Sequence, residues 1–226
     1  MKRWIPLLIL LFSFSVYGAE PDDSVTQVRA LINEPTASFW SDTELESWLD
    51  QAVSDIAARG LCIQTSDTIP LVTATYEYTA TTGAVSVSDI VKVWGCFYVN
   101  TEGEYIGLQR IKTNQISELP HMKAGPPKYF YHIAGKIGIL PLPTSGENAA
   151  LVRIYFSKQP SAATLALRIA ELPDQYHDLM YFYAASMAYK KEHRFTESDK
   201  FYTMYLQKLT SLRSDLYDVA PEIPPK

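Results

Sequence analysis

The spacing of apolar residues changes twice along this 226-residue chain, and that change constrains the fold more than any other feature. Residues 19–60 carry apolar side chains at helical spacing, residues 61–170 are rich in β-branched and aromatic side chains, and residues 171–217 return to helical spacing. The pattern predicts an α+β fold: a helical bundle, made of an N-terminal helix pair and a C-terminal helical hairpin, with an inserted small antiparallel β-sheet domain. Residues 218–226 contain three prolines and predict an extended C-terminal arm.

The second predicted helix has the clearest signals. Ser41 and Glu44 form a capping box, because each side chain can accept a hydrogen bond from a free backbone N–H at the helix start. Gly60 is the expected C-cap, and Trp48 is expected in the core rather than in a binding site. Apolar spacing here and in the hairpin predicts these core residues: Leu45, Trp48, Leu49, Val53, Ile56, Leu179, Tyr183 and Tyr205.

The remaining elements follow from similar signals. A first helix is predicted from Asp23 to Asn33, and the hairpin is predicted to start at Leu172 and to turn near His193. A short helix is predicted over residues 114–119. Strands are predicted at 73–79, 85–87, 91–99, 105–111, 128–133, 136–140 and 151–157.

The charge balance argues against a protein that grips nucleic acid. The formal net charge is −5, and without Lys2 and Arg3 the chain holds 18 basic against 25 acidic side chains, a net charge of −7. Tight binding to phosphates needs a basic surface, whereas an acidic wall can surround DNA because repulsion prevents sticking. The 15 tyrosines indicate many partly buried surfaces, as in an oligomer.

Motifs for catalysis or metal binding are absent from the sequence. It contains no nucleophile elbow, P-loop, dinucleotide-binding fingerprint or zinc-protease motif, and its four histidines are scattered. Asp174 and Asp178 stand at a predicted helix start, where acidic residues interact with the helix dipole. Cys62 and Cys96 are expected to be buried thiols, although in an exported protein they could pair. We predict no catalytic, cofactor or metal site.

The first eighteen residues resemble a bacterial signal peptide. Lys2 and Arg3 precede an apolar run over residues 4–12, and Val16 and Gly18 fit the small-residue cleavage pattern. The run is too short for a comfortable transmembrane span. If the segment is not cleaved, the alternative to a signal peptide is an apolar helix buried at a subunit contact.

Several short segments, taken in order, resemble the head-to-tail adaptor (connector) proteins of tailed bacteriophages. Each segment alone is an ordinary turn or cap signal, so their order and spacing carry the resemblance, which spans residues 25–216. The segments are Val28–Pro35, Trp40–Leu45, Tyr76–Tyr78, Gly125–Phe130, Ile139–Pro143 and Glu171–Leu179.

The resemblance implies a structural protein without a cofactor. Such adaptors form a ring, usually twelvefold, beneath the portal of the phage head, where they extend the DNA channel and offer a platform for the tail. The implied partners are the portal protein, further copies of the chain, and downstream tail or nozzle proteins, while double-stranded DNA passes without specific binding. The implied location is the virion, assembled in the host cytoplasm. In the arm, the candidate portal or subunit interface is Val219, Pro221, Ile223, Pro224 and Pro225.

An alternative follows from the signal-like residues 1–18, which adaptors do not normally carry. The chain would then be an exported periplasmic binding or interaction protein with the helical hairpin as its module. The hairpin has no second copy in the sequence, so it cannot build a solenoid of repeats.

Overall fold

Helices lie at both ends of the described chain and strands lie between them. The computed structural model describes residues 21–83, 85–100, 102–112 and 122–218. The helices are α1 (Pro21–Ile32), α2 (Asp42–Gly60), α3 (Leu165–Ala170), α4 (His177–Lys191) and α5 (Phe195–Asp218), and the strands are β1 (Gln64–Pro70), β2 (Glu77–Tyr78), β3 (Ile90–Val99), β4 (Tyr105–Gly107), β5 (Gln109–Arg110), β6 (Tyr129–Ile133), β7 (Lys136–Leu140) and β8 (Leu151–Lys158). The predicted α+β class is confirmed.

The start of α2 is as predicted, but its end is not. The Ser41 hydroxyl accepts a hydrogen bond from the Glu44 backbone N–H, and both halves of the capping box are present. At the other end Leu61, with φ 55°, takes the left-handed cap position, so the prediction that Gly60 caps the helix is wrong. Gly60 instead permits close packing, because a Cβ there would lie 2.5 Å from Cδ2 of Leu212 in α5.

The eight predicted core residues all belong to the bundle core or pack against it, but they are not equally buried. Six of them are buried: Leu45, Leu49, Val53, Ile56, Leu179 and Tyr205. Trp48 and Tyr183 are only partly buried and pack against this core. The tryptophan in the core is Trp40, which is 2% exposed and meets Trp48 edge to face with ring centroids 5.4 Å apart. Trp40 lies in the loop before α2, outside any helical repeat, so apolar spacing does not identify it as a core residue.

Two charged residues, Arg29 in α1 and Glu34 in the loop after it, hold Trp40 in place. The buried Arg29 donates from Nη2 to the Trp40 carbonyl at 2.8 Å and to Asp42 Oδ1 at 2.5 Å. The Glu34 carboxylate accepts from the backbone N–H groups of Ser38, Phe39 and Trp40. The loop is therefore ordered by hydrogen bonds to its backbone, and such bonds leave no periodic pattern of apolar residues in the sequence.

Acid is expected to weaken this loop through Glu34. Burial acts to raise the pKa of Glu34, but hydrogen bonds from Phe39, Trp40 and Ser38 together hold that pKa below the ordinary value of 4.5. A carboxylate with a lowered pKa stabilises the fold above its ordinary pKa and loses that contribution as the pH falls below it. We expect the melting temperature of the natural protein to fall more steeply between about pH 5 and pH 3 than that of Glu34→Gln. Parallel melting curves for the two proteins would contradict this.

The strands form two four-stranded sheets rather than one small antiparallel sheet. The first sheet has the order β1-β8-β3-β4 and is antiparallel, whereas the second has the order β2-β7-β6-β5 and pairs β5 with β6 in parallel. A parallel pair needs a long connection, which residues 111–128 provide. The sheets share one apolar core, to which Val152, Ile154 and Phe156 of β8 and Ile137 and Ile139 of β7 belong.

Several local predictions differ from the structure. Strand β1 and helix α3 were not predicted, because β1 is mostly polar and α3 is short. Residues 85–87 make an isolated bridge and the start of a 3-10 turn instead of a strand. The hairpin of α4 and α5 is present, with its turn at residues 192–194.

Residues 1–18 and 114–119, and all but the first residue of the predicted arm 218–226, lie outside the described residues. That first residue, Asp218, is the last residue of α5, so the prediction that the arm begins there is wrong. The domain boundaries stay predictions. None of the helices that the structure describes is long and apolar enough to cross a membrane.

Candidate assembly interface

The potentially reactive side chains, two thiols and an imidazole, are in structural positions. Cys62 and Cys96 are buried free thiols, and burial raises the pKa of Cys62 to about 11 and that of Cys96 further still, so neither supplies a thiolate at neutral pH. The Nε2 atom of His177 lies 3.2 Å from the Leu172 carbonyl at the start of the hairpin. Over residues 21–83, 85–100, 102–112 and 122–218, no three His, Cys, Asp or Glu side chains are grouped to hold a metal ion.

A shallow cleft of about 360 Å³ lies beside the second sheet. Its described lining includes Arg110, Lys112 and His132, but it offers no acidic side chain and no serine or cysteine. Burial is the main reason that the pKa of His132 lies below its ordinary value of 6.5, so this imidazole is neutral at pH 7. These described residues lack the nucleophile and the acid–base pair that a hydrolytic site needs.

The predicted interface residues lie beyond the described chain. Val219, Pro221, Ile223, Pro224 and Pro225 follow the last described residue, Asp218. Their role as an interface therefore stays a prediction.

In the part of the chain that the structure describes, one side of the first sheet is a largely apolar surface with no element packed on it, which we call the outer face. Cross-strand partners point to the same side of a sheet. The inner side carries Cys96, Val152, Ile154 and Phe156, which are buried between the sheets. The outer face is formed by alternate residues of all four strands. Strand β8 contributes Leu151, Arg153 and Tyr155, which lie opposite Val99, Phe97 and Gly95 of β3 and opposite Pro70, Thr68 and Ser66 of β1. Strand β4 contributes Tyr105 and Gly107, which lie opposite Val99 and Phe97.

Aromatic rings and one guanidinium group dominate the outer face. The rings of Phe97 and Tyr155 meet edge to face with centroids 5.7 Å apart, and the Arg153 guanidinium carbon lies 5.7 Å from the centroid of Tyr105. The Phe97 ring leans over Gly95, where an added Cβ would lie 3.1 Å from Cε2 of the ring. The Phe97 ring therefore covers the space left by the two glycines beside it, Gly95 and Gly107.

The outer face remains exposed in the described chain. Tyr105 is 53% exposed, Tyr155 41% and Leu151 40%. Among the pairs named above, Arg153 is the charged side chain; in the same register Lys92 lies opposite Ser157, toward the other end of the strands. A contiguous apolar surface with tyrosines and an arginine is typical of a protein–protein interface. We therefore take the outer face as the candidate assembly interface.

Sequence reasoning missed this surface, although a signal was present. In β8 the residues Leu151, Arg153 and Tyr155 alternate with the apolar set Val152, Ile154 and Phe156, so both faces are largely apolar. Such a strand is expected to be covered on both sides. Which of its neighbours complete the outer face depends on the bulges in β3, which shift the register and cannot be read from the sequence.

A second exposed apolar spot lies at the far end of the bundle. Phe39 is 63% exposed and Phe195 57%. Phe39 precedes the buried Trp40, and Lys191 at the end of α4 lies 5.0 Å from the Trp40 ring.

Comparison with solved structures finds chains that are only weakly similar to this one. The neck of an empty GTA particle, computed with C6 symmetry, has a chain that is 17% identical, with 74% of this chain and 77% of that chain covered and a TM-score of 0.27. The virion of a native gene transfer agent particle has one that is 16% identical, with 77% and 78% covered and a TM-score of 0.26. No curated protein matches the chain. Scores this low carry no argument about its role.

Comparison with protein families gives a match across almost the whole chain. Residues 22–222 match the SU10 adaptor protein family. The matched range includes the bundle, both sheets and most of the predicted arm. The chain therefore belongs to the SU10 adaptor protein family, whose members are structural proteins of the phage virion and not enzymes.

Proposed function

We propose that the chain is the subunit of a closed ring that sits beneath the portal of a tailed-phage head, extends the DNA channel and offers a platform for the tail. The observation that carries this proposal is the family match over residues 22–222. The partners would be the portal protein, further copies of the chain and downstream tail or nozzle proteins. The ring would be twelvefold and would assemble on the head in the host cytoplasm.

The outer face supports the ring. A ring of identical subunits needs a heterologous contact, in which one surface of each copy meets a different surface of the next copy. The outer face offers tyrosines and an arginine, and no helix or strand of the described chain covers it. It is therefore suited to be one half of such a contact.

The charge balance supports passage of DNA without binding. Residues 19–60 hold nine acidic and two basic side chains, so the helix pair contributes most of the net negative charge. Phosphates meet few cations on such a surface, and the duplex can slide past it.

Binding to the portal tests the proposed location. Purified full-length chain should co-sediment with assembled portal rings and should appear in cryo-EM images as an added layer on one end of the portal. Absence of any complex at micromolar concentrations of both proteins would contradict the proposal. The tail protein alone, which should not be retained by the portal without the chain, is the control.

DNA should bind the isolated protein weakly and with a shallow salt dependence. Each phosphate contact adds roughly −0.9 to the slope of log K against log salt concentration, and a surface with few free cations makes few contacts. We expect a slope no steeper than about −3, measured by fluorescence anisotropy with a duplex of arbitrary sequence. A slope of about −6 or steeper would indicate a protein that grips DNA.

A further inference from the structure

We propose that the outer face receives the proline-rich segment, residues 219–226, of a neighbouring copy of the chain. The inference rests on the ring proposed above and names the two surfaces of its subunit contact. It joins an uncovered aromatic surface that the structure describes to a segment whose sequence predicts an extended conformation.

The chemistry of the segment fits the chemistry of the face. Pro221 and Pro224 are separated by two residues, and Pro225 follows, so the segment has the spacing of ligands that bind as polyproline II helices. Such ligands dock into surfaces lined by aromatic rings, where the prolines pack between the rings. Tyr105 and Tyr155 project from the outer face on opposite sides of Phe97.

The charges are complementary as well. Glu222 is the acidic residue of the segment, and Arg153 is a basic residue at the middle of the outer face. The Arg153 guanidinium carbon lies 5.7 Å from the centroid of the Tyr105 ring, at the surface where a docked carboxylate would pair with it. The aliphatic side chain of Ile223 would be next to this pair, against the Phe97 ring.

The geometry of α5 brings the segment to the correct end of the molecule. Tyr205 donates to Asp55 Oδ2 at 2.5 Å and Leu212 packs at Gly60, so α5 runs in the same direction as α2. Helix α2 ends where the chain passes into β1, so α5 ends on the side of the bundle that carries the sheets. The six residues after Leu212 extend α5 by about 9 Å beyond that contact.

The reach of the segment also matches the face. Eight residues in a polyproline II conformation span about 25 Å. Strand β8, which crosses the middle of the outer face, has eight residues and a length of about 26 Å. One segment and one face are present in each copy, so a closed ring uses every segment and every face once.

Cross-linking between two single-cysteine variants tests the contact. Ile223→Cys chains are mixed with Tyr155→Cys chains, assembled with portal and treated with a short bismaleimide. We expect a covalent dimer of twice the 25.5 kDa chain mass, formed only in the mixture. Lys136→Cys replaces Tyr155→Cys as the control, because Lys136 is exposed on the other sheet and should not cross-link. The natural Cys62 and Cys96 are buried and should not react.

Other outcomes overturn the inference. A cross-link inside one chain of the double variant, with no dimer in the mixture, would mean that each segment covers its own face. A dimer formed with Phe195→Cys instead of Tyr155→Cys would place the segment at the far end of the bundle. If native mass spectrometry shows rings and no cross-link forms, this inference fails while the ring stands. If no ring forms, the proposed function itself fails.

A charge exchange gives an independent measurement. Arg153→Glu alone and Glu222→Arg alone should each weaken assembly about tenfold, measured as the concentration at which half the chain is assembled. The double variant should recover most of that loss, since the pair is restored with its signs exchanged. Additive losses in the double variant would contradict the pairing. Removal of residues 219–226 should also weaken assembly while leaving the melting temperature of the folded body unchanged.

Discussion

Replacing Trp40 by alanine is expected to lower the free energy of unfolding by about 3–5 kcal/mol, among the largest effects of any single change in the bundle. The Trp40 side chain is almost wholly buried in the bundle core, where it meets Trp48 of α2 and Lys191 of α4. The remaining cavity cannot collapse easily, because the backbone on either side is held by Glu34 and Arg29. Urea denaturation followed by circular dichroism measures the effect.

Trp48→Ala is the matched comparison. Trp48 is the same residue type on the same cluster, but its side chain is only partly buried and borders solvent. Its replacement should therefore cost clearly less than that of Trp40, because less apolar surface is lost from the interior. Equal costs for the two replacements, or a near-neutral Trp40→Ala, would mean that Trp40 does not anchor the loop in the core.

Gly138→Ala is expected to destabilise the second sheet by about 3 kcal/mol. Gly138 lies opposite Tyr131 in the pairing of β6 with β7, and the Tyr131 ring covers it. An added Cβ would lie 2.0 Å from Cζ and 2.1 Å from Cε1 of that ring. The ring would have to leave its buried position and would lose the hydrogen bond from its hydroxyl to Glu77 Oε1, now 3.0 Å long.

A double-mutant cycle separates this clash from a general effect of alanine in the strand. Once Tyr131→Ala has removed the ring, adding Gly138→Ala should cost almost nothing, so the two changes should be strongly non-additive. Gly107→Ala is the control, because the nearest atom to a Cβ at Gly107 is 3.9 Å away. Additive costs in the cycle would show that the ring does not lie on Gly138.

The parts of the fold that the sequence predicts are those with local causes. The capping box at Ser41 and the apolar repeat behind it depend on residues within two helical turns, so α2 starts where the pattern indicates. The hairpin of α4 and α5 follows in the same way from repeat and turn signals. The family resemblance, which depended on the order of such local signals, is confirmed by the match over residues 22–222.

The parts that the sequence does not predict depend on contacts between distant segments. Gly60 is needed for the approach of Leu212, about 150 residues away along the chain, and so its role differs from that of a cap. Trp40 is buried through side-chain hydrogen bonds to its loop, which leave no periodic pattern. The outer face exists because strands distant in sequence are paired in one register, and only that register brings Phe97 beside Arg153.

The mass of the assembled protein tests the central claim most directly. Native mass spectrometry of the full-length chain, alone and with portal present, should give one closed oligomer whose mass is an integer multiple of the subunit mass. The account predicts twelve subunits, and cryo-EM of the same sample should show a ring with an open centre wide enough for double-stranded DNA. A chain that stays monomeric at every concentration, even in the presence of assembled portal, would contradict the account.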